Sequence, residues 1–294
     1  MTRTAIVTDS TADLPSSLAA DHGITVVPLT LHLDGRPYLD GVDITAGEFY
    51  SRLGTASAHP STSQPSPGQF KEVYERLLED HDEVVSIHIS GRLSGTLQSA
   101  QAAAELVDRS RVHTVDSQFV SMPLAALALV AAQVAAQDAN APDVTAEVAH
   151  VREALRCYFA VATLEYLRRG GRIGAASALL GSVLQVKPIL TIEGGQVAPL
   201  ERVRTTDRAL TRIVELSGDL ATGSLCAIVG HAAAEQAALT IAERLQAVTE
   251  TLVVQPLGPV VGAHAGPGTV GLAVYPAELF PLGLRYGVPE PARA

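Results

Sequence analysis

The sequence predicts an α/β protein of two domains, the first with a mainly parallel sheet covered by helices on both faces and the second with a mixed sheet. In residues 4–137, short apolar runs alternate with helical patterns, which is typical of a parallel sheet. Beyond residue 156, an antiparallel hairpin pattern at 189–200 precedes two further strand–helix units and indicates a mixed sheet. The chain has 294 residues, 47% of them hydrophobic, and this length is sufficient for two medium-sized domains.

The first domain is expected to span residues 1–156. Its predicted strands are 4–8, 24–31, 83–89 and 111–115, and its predicted helices are 16–22, 46–53, 67–79, 95–108, 118–137 and 143–156. Pro28 indicates an edge or a bulge in the second strand, because proline has no N–H to donate to a neighbouring strand. Asp34-Gly35 predicts a turn. Ser66, Pro67 and Gln69 have the pattern of a helix N-cap, a first-turn proline and a capping box. The polar stretch 56–65 is predicted to be a loop.

The second domain is expected to span residues 157–286 and to be followed by a tail, 287–294, which contains Pro289 and Pro291. Its predicted strands are 158–162, 189–192, 196–200, 225–230, 251–255 and 269–275. A helix is predicted at 232–247 and a helical turn near 259–264. The expected boundary between the two domains is therefore near residue 156.

The charge distribution limits the classes of partner. A formal net charge of −10 argues against a nucleic-acid partner, which requires a basic surface. Residues 168–212 nevertheless contain seven arginines and one lysine against three acidic residues, a local balance of +5. Such a basic stretch faces an anionic ligand or an acidic partner, or it is simply a solvated helix face. The sequence leaves these alternatives open.

The two cysteines, Cys157 and Cys226, have neither the spacing of a zinc site nor that of a disulfide framework. The first residues lack the apolar core of a signal peptide. The longest apolar stretch, 122–132, is too short to cross a bilayer. We therefore expect a soluble, cytoplasmic protein with reduced thiols, without an integral membrane segment and without a metal site.

The most informative segment is Ser-Gly-Arg-Leu-Ser-Gly-Thr at 90–96, between a predicted strand and a predicted helix. Backbone N–H groups and hydroxyls converge at such a helix start and can bind an anion. Ser94, expected as the helix cap, and the Gly95 amide are therefore candidate donors. Three further loops, 9–15, 61–67 and 261–268, concentrate small polar residues. From these loops Thr62 and His264 are candidates, although caps, turns and structural histidines are common alternatives.

Catalysis has little direct support in the sequence. A serine hydrolase would use Ser94 and His264 with an aspartate such as Asp116, but the G-x-S-x-G pattern of a nucleophile elbow is missing at Ser94. The chain also contains no P-loop motif and no HExxH motif. A serine-type esterase or acyltransferase and a phosphate- or nucleotide-binding sensor remain alternative functions.

The four loops belong to a longer series of motifs that covers nearly the whole chain. The motifs are Asp-Ser-Thr-Ala-Asp-Leu-Pro at 9–15, Thr-Ser-Gln-Pro-Ser-Pro at 62–67, Ser-Gly-Arg-Leu-Ser-Gly-Thr at 90–96, Asp-Ser at 116–117, Leu-Glu-Tyr-Leu-Arg-Arg-Gly-Gly-Arg-Ile at 164–173, Lys-Pro-Ile-Leu at 187–190, Arg-Val-Arg-Thr at 202–205 and His-Ala-Gly-Pro-Gly at 264–268. In this set and order, the sequence resembles the DegV family, the fatty-acid-binding proteins that act as lipid-binding subunits of bacterial fatty acid kinase.

The resemblance implies that a long-chain fatty acid lies in a tunnel between the two domains and that the chain is not itself an enzyme. It implies that Thr62, Ser94 and the Gly95 amide bind the carboxylate. His264, Arg204 and Arg202 are then expected at the head group and, after phosphorylation, at the acyl phosphate. The basic residues Arg168, Arg169 and Arg172 are a weaker expectation as the docking surface for the kinase catalytic subunit. No cofactor other than the lipid is expected, and the role implied is in phospholipid metabolism.

One position departs from the family pattern. Pro123 stands where the family usually has glycine, and proline removes a backbone donor and fixes φ. The local helix geometry and the shape of the tunnel therefore do not follow from the resemblance at this position. We expect the tunnel to be lined by aliphatic residues, with segments 124–134 and 179–184 as candidates.

Overall fold

A computed structural model describes residues 2–56, 58–180, 186–220 and 223–288. The strands are β1 (Thr4–Asp9), β2 (Ile24–Val27), β3 (Thr30–Leu33), β4 (Arg36–Leu39), β5 (Ser61–Ser63), β6 (Glu83–His88), β7 (Val112–Asp116), β8 (Arg156–Ala160), β9 (Lys187–Glu193), β10 (Gln196–Val203), β11 (Leu225–His231), β12 (Thr249–Pro256), β13 (Val270–Pro276) and β14 (Arg285–Tyr286). The helices are α1 (Ser16–Asp21), α2 (Ala46–Leu53), α3 (Pro67–Leu77), α4 (Thr96–Val107), α5 (Met122–Ala135), α6 (Ala141–Ala154), α7 (Glu165–Arg169), α8 (Thr206–Gly218), α9 (Glu235–Leu245) and α10 (Pro259–Ala265). Short 3₁₀ helices span Ser10–Ala12 and Gly174–Leu179.

The first sheet has the strand order β2-β1-β6-β7 and is parallel throughout. Every residue of β1 is buried, as expected for a central strand with both faces covered. Alternate residues face opposite sides: Ala5 and Val7 pack in the cluster formed with α3 and α4, whereas Ile6 packs in the cluster that contains α5. The predicted parallel sheet with helices on both faces is confirmed.

A small antiparallel sheet, β4-β3-β5, adjoins the first. The single predicted strand 24–31 is wrong, because the chain breaks at Pro28 and continues as β3 in this second sheet. The predicted turn is confirmed: Asp34 and Gly35, with φ of 51° and 75°, join β3 to β4. The expected loop 56–65 is wrong in part, since Ser61–Ser63 pairs with β3 as strand β5. This pairing is what fixes Thr62.

The C-terminal sheet has the order β10-β9-β8-β13-β11-β12-β14 and contains both parallel and antiparallel pairs, which confirms the predicted mixed sheet. Its first strand in sequence, β8, begins at Arg156. One face packs against α8 and α9, and the other face, which includes Cys157 and Phe159, belongs to the core around α5. Helix α8 was not predicted from the sequence, although Thr205 caps its first turn.

Helix α5 lies between the two large sheets. It packs against β1 and β6 of the first sheet and against β11 and β13 of the second. Its first eleven residues are buried, so it has no polar face, which explains why amphipathic periodicity is absent from this stretch. Pro123 is the second residue of the helix, where the N–H has no partner within the helix in any case, so the helix begins without a lost hydrogen bond.

Two expectations fall partly outside the described residues. The tail was expected at 287–294, of which the structure describes only 287 and 288. Of the expected lining segment 179–184, residues 179 and 180 are described, and Leu179 is buried. In the described ranges, no helix is both long and apolar enough to cross a membrane.

Candidate ligand-binding site

A cavity lies between the first sheet and the C-terminal sheet, with about 820 Å³ of empty space including its opening to solvent. Both halves of the chain and α10 contribute to its wall. The described lining residues are Thr11, Leu29, Thr62, Ile89, Leu93, Ser94, Val120, Ser121, Met122, Cys157, Phe159, Leu167, Arg172, Ile192, Val197, Leu257, Val260, Val261, His264, Ala265, Thr269 and Gly271.

Most of the wall is apolar, and three of its polar residues have their hydroxyl groups turned to protein acceptors. Thr11 donates to Asp9, Ser121 donates to Asp13, and Thr269 donates to the carbonyl of Ala265. These hydroxyls therefore offer no free donor to a ligand. Helix α5 supplies Met122 to the wall, whereas the expected lining segment 124–134 packs into the core instead.

Thr62 and His264 meet at one part of this wall. The Thr62 Oγ1 and His264 Nε2 atoms are 2.8 Å apart. Thr62 is held by the pairing of β5 with β3, and His264 lies in the last turn of α10. The helical turn predicted near 259–264 is confirmed as α10, whereas the loop expected over 261–268 is wrong up to Ala265, so His264 lies in the helix. A helix fixes the imidazole more firmly than a loop would.

His264 is neutral near pH 7. Burial, together with the nearby positive charge of Arg172 and the imidazole of His59, lowers its pKa to about 4. The imidazole Nδ1 is buried and has no hydrogen-bond partner among the residues that the structure describes. The ring passes so close to Gly170 that a Cβ at that position would lie 2.1 Å from Nδ1. Gly170 thus admits the imidazole, a requirement that the sequence pattern did not reveal.

Ser94 and Gly95 lie at the start of α4. The residue at the N-cap is Gly95 and not Ser94, which corrects the expected cap. The Ser94 Oγ accepts a hydrogen bond from the Thr96 N–H at 3.3 Å and lies 2.9 Å from the Thr96 Oγ1. Ser94 lines the cavity, and Gly95 adjoins it in sequence. The N–H groups of the first turn of α4 are therefore near the polar part of the wall.

Gln64 joins the Thr62 strand to α4. Its Nε2 donates to the Ser99 Oγ at 3.2 Å. Its side chain crosses Gly95 so closely that a Cβ there would lie 2.2 Å from the Gln64 Oε1. Gly95 thus has a packing role in addition to the amide role expected for it. Sequence analysis missed Gln64, because its position in a proline-rich loop gave no sign of this contact.

Arg172 supplies the positive charge in the cavity wall. Its Nε donates to the Leu93 carbonyl at 3.1 Å and its Nη1 to the Gly170 carbonyl at 2.7 Å. An arginine has five N–H donors, and in the described part of the chain only these two hydrogen bonds use them. Arg172 was expected at a kinase-docking surface. It lines the cavity together with Ser94 and His264, which makes it a candidate ligand contact as well.

The other basic candidates lie outside the cavity. Arg202 and Arg204 are exposed, at the end of β10 and just beyond it, and neither lines the cavity. Arg168 and Arg169 are about half exposed and share the carboxylate of Glu165. Glu165 thus offsets part of the positive charge of these two arginines, as on a solvated helix face.

The alternative nucleophilic arrangement is absent from the described residues. His264 contacts Thr62, and the recorded side-chain partner of Ser94 is Thr96, so no Ser94–His264 hydrogen bond activates a nucleophile. Within the described ranges, there is also no group of three or more His, Cys, Asp or Glu residues that could hold a metal ion.

Comparisons with known proteins agree with this geometry. The family model described as an uncharacterised protein of the DegV family matches residues 3–277. A DegV domain-containing protein from Streptomyces coelicolor is 42% identical over 276 residues, which cover 92% of this chain and 97% of that protein.

Two solved structures are similar over nearly their whole length. A fatty-acid-binding DegV family protein from Thermus thermophilus has a TM-score of 0.89 and 39% identity, with 93% of this chain and 99% of that chain covered. The fatty-acid-binding protein DegV from Bacillus subtilis has a TM-score of 0.85 and 33% identity, with 94% and 99% covered. Because the family model spans most of the sequence, and the fold and cavity are in place, this chain belongs to the DegV family.

Proposed function

We propose that this protein binds a long-chain fatty acid in the cavity and presents its carboxylate to a separate kinase. The observation that carries the proposal is that the cavity wall is mostly apolar and has few polar groups left to bind a ligand. Arg172, with N–H groups that no described residue uses, lines the same cavity as Thr62, Ser94 and His264, whereas the hydroxyls of Thr11, Ser121 and Thr269 are committed to protein acceptors. A wall that is apolar apart from one group of donors suits a molecule with an acyl tail and a single anionic end.

Burial of the tail supplies most of the affinity. Each methylene removed from water contributes about 0.8 kcal/mol, so about fourteen of them supply on the order of 11 kcal/mol before costs. Loss of translational and rotational freedom and ordering of the acyl chain offset a considerable part of this free energy. Aliphatic groups such as Ile89, Ile192 and Val197 supply the surface against which the tail packs.

The carboxylate binds at the polar part of the wall. When the neutral His264 carries its proton on Nε2, it donates to the Thr62 Oγ1, and the Thr62 hydroxyl is left to donate to a ligand. Ser94, the first-turn amides of α4 that begin beside Gly95, and the unused N–H groups of Arg172 complete the set of donors. Hydrogen bonds to a carboxylate are stronger than those to neutral acceptors, which favours the ionised head group.

The chain acts as a carrier and leaves the chemistry to its partner. In the transfer step a carboxylate oxygen attacks the terminal phosphorus of ATP on the kinase, the bond to ADP breaks, and the acyl phosphate remains here. Arg172 then offsets the added negative charge. Arg168 and Arg169, exposed beside the cavity residue Leu167, are candidates for kinase docking. Arg202 and Arg204 stay predictions of the sequence for the head group and the acyl phosphate; both are exposed and neither lines the described cavity.

Mass spectrometry of lipid extracted from the purified protein tests the proposal. We expect one equivalent of long-chain fatty acid, and its loss when both Thr62 and Ser94 are replaced by alanine. A fluorophosphonate probe tests the serine-esterase alternative. Covalent labelling of Ser94, with ester turnover that disappears in Ser94→Ala, would overturn the carrier function. Stabilisation by soluble phosphates, without stabilisation by oleate or palmitate, would favour the sensor instead.

A further inference from the structure

Two glycines leave a notch in the face of the C-terminal sheet that α5 covers. Gly230 of β11 and Gly271 of β13 are direct partners across two antiparallel strands, so their missing side chains belong to the same face. Neither residue has a positive φ, and alanine is therefore compatible with the backbone at both positions. The reason for glycine at this pair is space. We call the space above Gly230 and Gly271 the glycine notch.

The side chain of Met122 fills the glycine notch. A Cβ on Gly230 would lie 2.3 Å from the Met122 Sδ, and a Cβ on Gly271 would lie 2.6 Å from the Met122 Cε. The thioether therefore occupies the volume that two alanine side chains would need. Met122 and Gly271 line the cavity, whereas Gly230 is not among the described lining residues. Met122 thus separates the part of the notch above Gly230 from the cavity.

The backbone just before Met122 is strained. Ser121 has φ of 61° and ψ of −132°, a conformation that residues other than glycine rarely adopt. Its N–H donates to the Thr11 carbonyl at 2.7 Å, and its hydroxyl donates to Asp13. Such strain persists only where surrounding contacts impose it, and it is concentrated at functional sites. Here the contacts of Ser121 hold the chain where the first residue of α5 enters the notch.

Helix α10 shows how far the notch lies from the polar part of the wall. Leu257, just before this helix, adjoins the notch, since a Cβ on Gly230 would lie 2.8 Å from the Leu257 Cδ1. At the other end of the helix, His264 contacts Thr62. The helix rises by about 8 Å between Pro259 and His264. A long-chain fatty acid extends well beyond this distance. Its acyl chain, anchored at the polar part, therefore passes the notch part-way along its length.

We propose that Met122 is a specificity-determining residue whose thioether closes the glycine notch against a bend in the acyl chain. The proposal rests on the proposed function and adds the shape of the acyl chain that the cavity accepts. With the notch filled, the wall is closely packed at this point and favours a straight, saturated chain. With the notch open, the bend at a cis double bond in the middle of the chain has room beside Gly230.

Competition between stearate and oleate tests the proposal, because these acids have the same number of carbons and differ by one cis double bond. The protein is stripped of lipid and incubated with equal amounts of both acids, and the retained acids are measured by mass spectrometry. Met122→Ala opens the notch and should raise the oleate-to-stearate ratio by roughly fourfold or more, the effect of about one further buried methylene. Gly230→Ala in the Met122→Ala background refills the notch and should return the ratio towards that of the wild type.

Val261→Ala is the matched control, because it shortens a lining residue of α10 and leaves the notch unchanged. Its ratio should equal that of the wild type. The proposal is overturned if Met122→Ala leaves the ratio unchanged, if the double variant keeps the ratio of Met122→Ala, or if Val261→Ala raises the ratio as much as Met122→Ala does.

The methyl signal of Met122 provides a test that does not require Met122→Ala to fold. The chain contains two methionines, Met1 and Met122, so a carbon-13 spectrum of methionine-labelled wild type has a single internal methyl signal. Stearate and oleate should shift this signal by different amounts. Retention of both acids without any shift would refute contact between Met122 and the acyl chain.

The same signal separates a failure of the notch from a failure of the proposed function. In lipid-free protein, Gly230→Ala should shift the Met122 signal, whereas Gly47→Ala should not, since a Cβ at this exposed glycine meets nothing within 4 Å. Equal signals in the two variants would refute the filling of the notch. If no protein retains either acid while Gly230→Ala does shift the signal, the proposed function fails and the selectivity fails with it.

Discussion

The His264 Nε2 atom lies 2.8 Å from the Thr62 Oγ1 atom, although 202 positions separate these residues in the chain. The contact joins α10 to a three-residue strand of the small antiparallel sheet. When the imidazole carries its proton on Nε2, it donates to the Thr62 Oγ1 and leaves the hydroxyl proton for a ligand. The following predictions depend on this contact and on the groups around it.

Thr62→Val should weaken fatty-acid binding without unfolding the protein. The variant keeps the shape and loses one hydroxyl donor, and a hydrogen bond to a charged group contributes about 1.5–3 kcal/mol, equivalent to roughly a tenfold to hundredfold change in Kd. Displacement of a fluorescent fatty acid measures the change. Ser63→Ala is the matched control, because the neighbouring hydroxyl bonds to His32 outside the cavity. Equal affinities for the two variants would contradict the site.

The pKa of His264 should rise when a fatty acid binds. In the free protein, burial together with Arg172 and His59 lowers this pKa to about 4. Because the unfolded chain then binds a proton that the folded chain does not, the protein loses stability as the pH falls from about 6.5 towards 4. A carboxylate nearby favours the charged imidazole and should raise the pKa by roughly one unit or more. Nitrogen-15 NMR titration of labelled histidine measures it. His231 of β11, which does not line the cavity, serves as the reference.

Arg172→Gln should reduce retention of the acyl phosphate more than that of the fatty acid, because the phosphorylated head group carries more negative charge. Arg168→Gln is the control from the same segment, since its guanidinium is already paired with Glu165 outside the cavity. Ligand dissociation from both variants and transfer by the partner kinase are measured together. A loss of transfer in Arg168→Gln with normal binding would support docking at this surface. Unchanged retention in Arg172→Gln would remove Arg172 from the site.

Gly170→Ala should impair binding by displacing His264. The backbone at Gly170 is helical, with φ of −73°, so alanine adds no backbone strain there. Its Cβ would instead lie 2.1 Å from the imidazole Nδ1, and the ring must move away from Thr62. Gly54→Ala is the control, because a Cβ there meets nothing within 4 Å. If Gly170→Ala binds as well as Gly54→Ala, the position of His264 is not needed for the ligand.

Leu127→Ala should destabilise both large sheets at once. Leu127 is fully buried in α5, between the sheets, and removal of such a side chain typically costs about 2–5 kcal/mol. Because the helix packs on both sheets, we expect one unfolding transition at a lower denaturant concentration. Leu106→Ala, at a leucine that is 65% exposed, should change stability little. Two separate transitions in Leu127→Ala would show that the sheets unfold independently.

The sequence indicates the kind of chemistry at the candidate site, but it does not decide which residues form the site. Ser94 follows from a polar loop at the end of a predicted strand, where parallel topology gathers loops, and Thr62 follows from the polar loop 61–67 between two predicted helices. Arg204 and Arg172 both fit the requirement for a cation, and a motif does not distinguish them. The structure favours Arg172, because its side chain reaches the carbonyl groups of Leu93 and Gly170 at the cavity.

By itself the sequence determined the fold class, the order of most strands and helices, and the loops that carry the anion donors, because periodicity, capping residues and Gly and Pro positions act locally. Tertiary structure decided the contacts between residues that are far apart in the sequence. It split the predicted strand at Pro28 between two sheets, joined His264 to Thr62, and brought Gln64 over Gly95. Packing between segments far apart in the chain sets these relationships, and no local pattern encodes them.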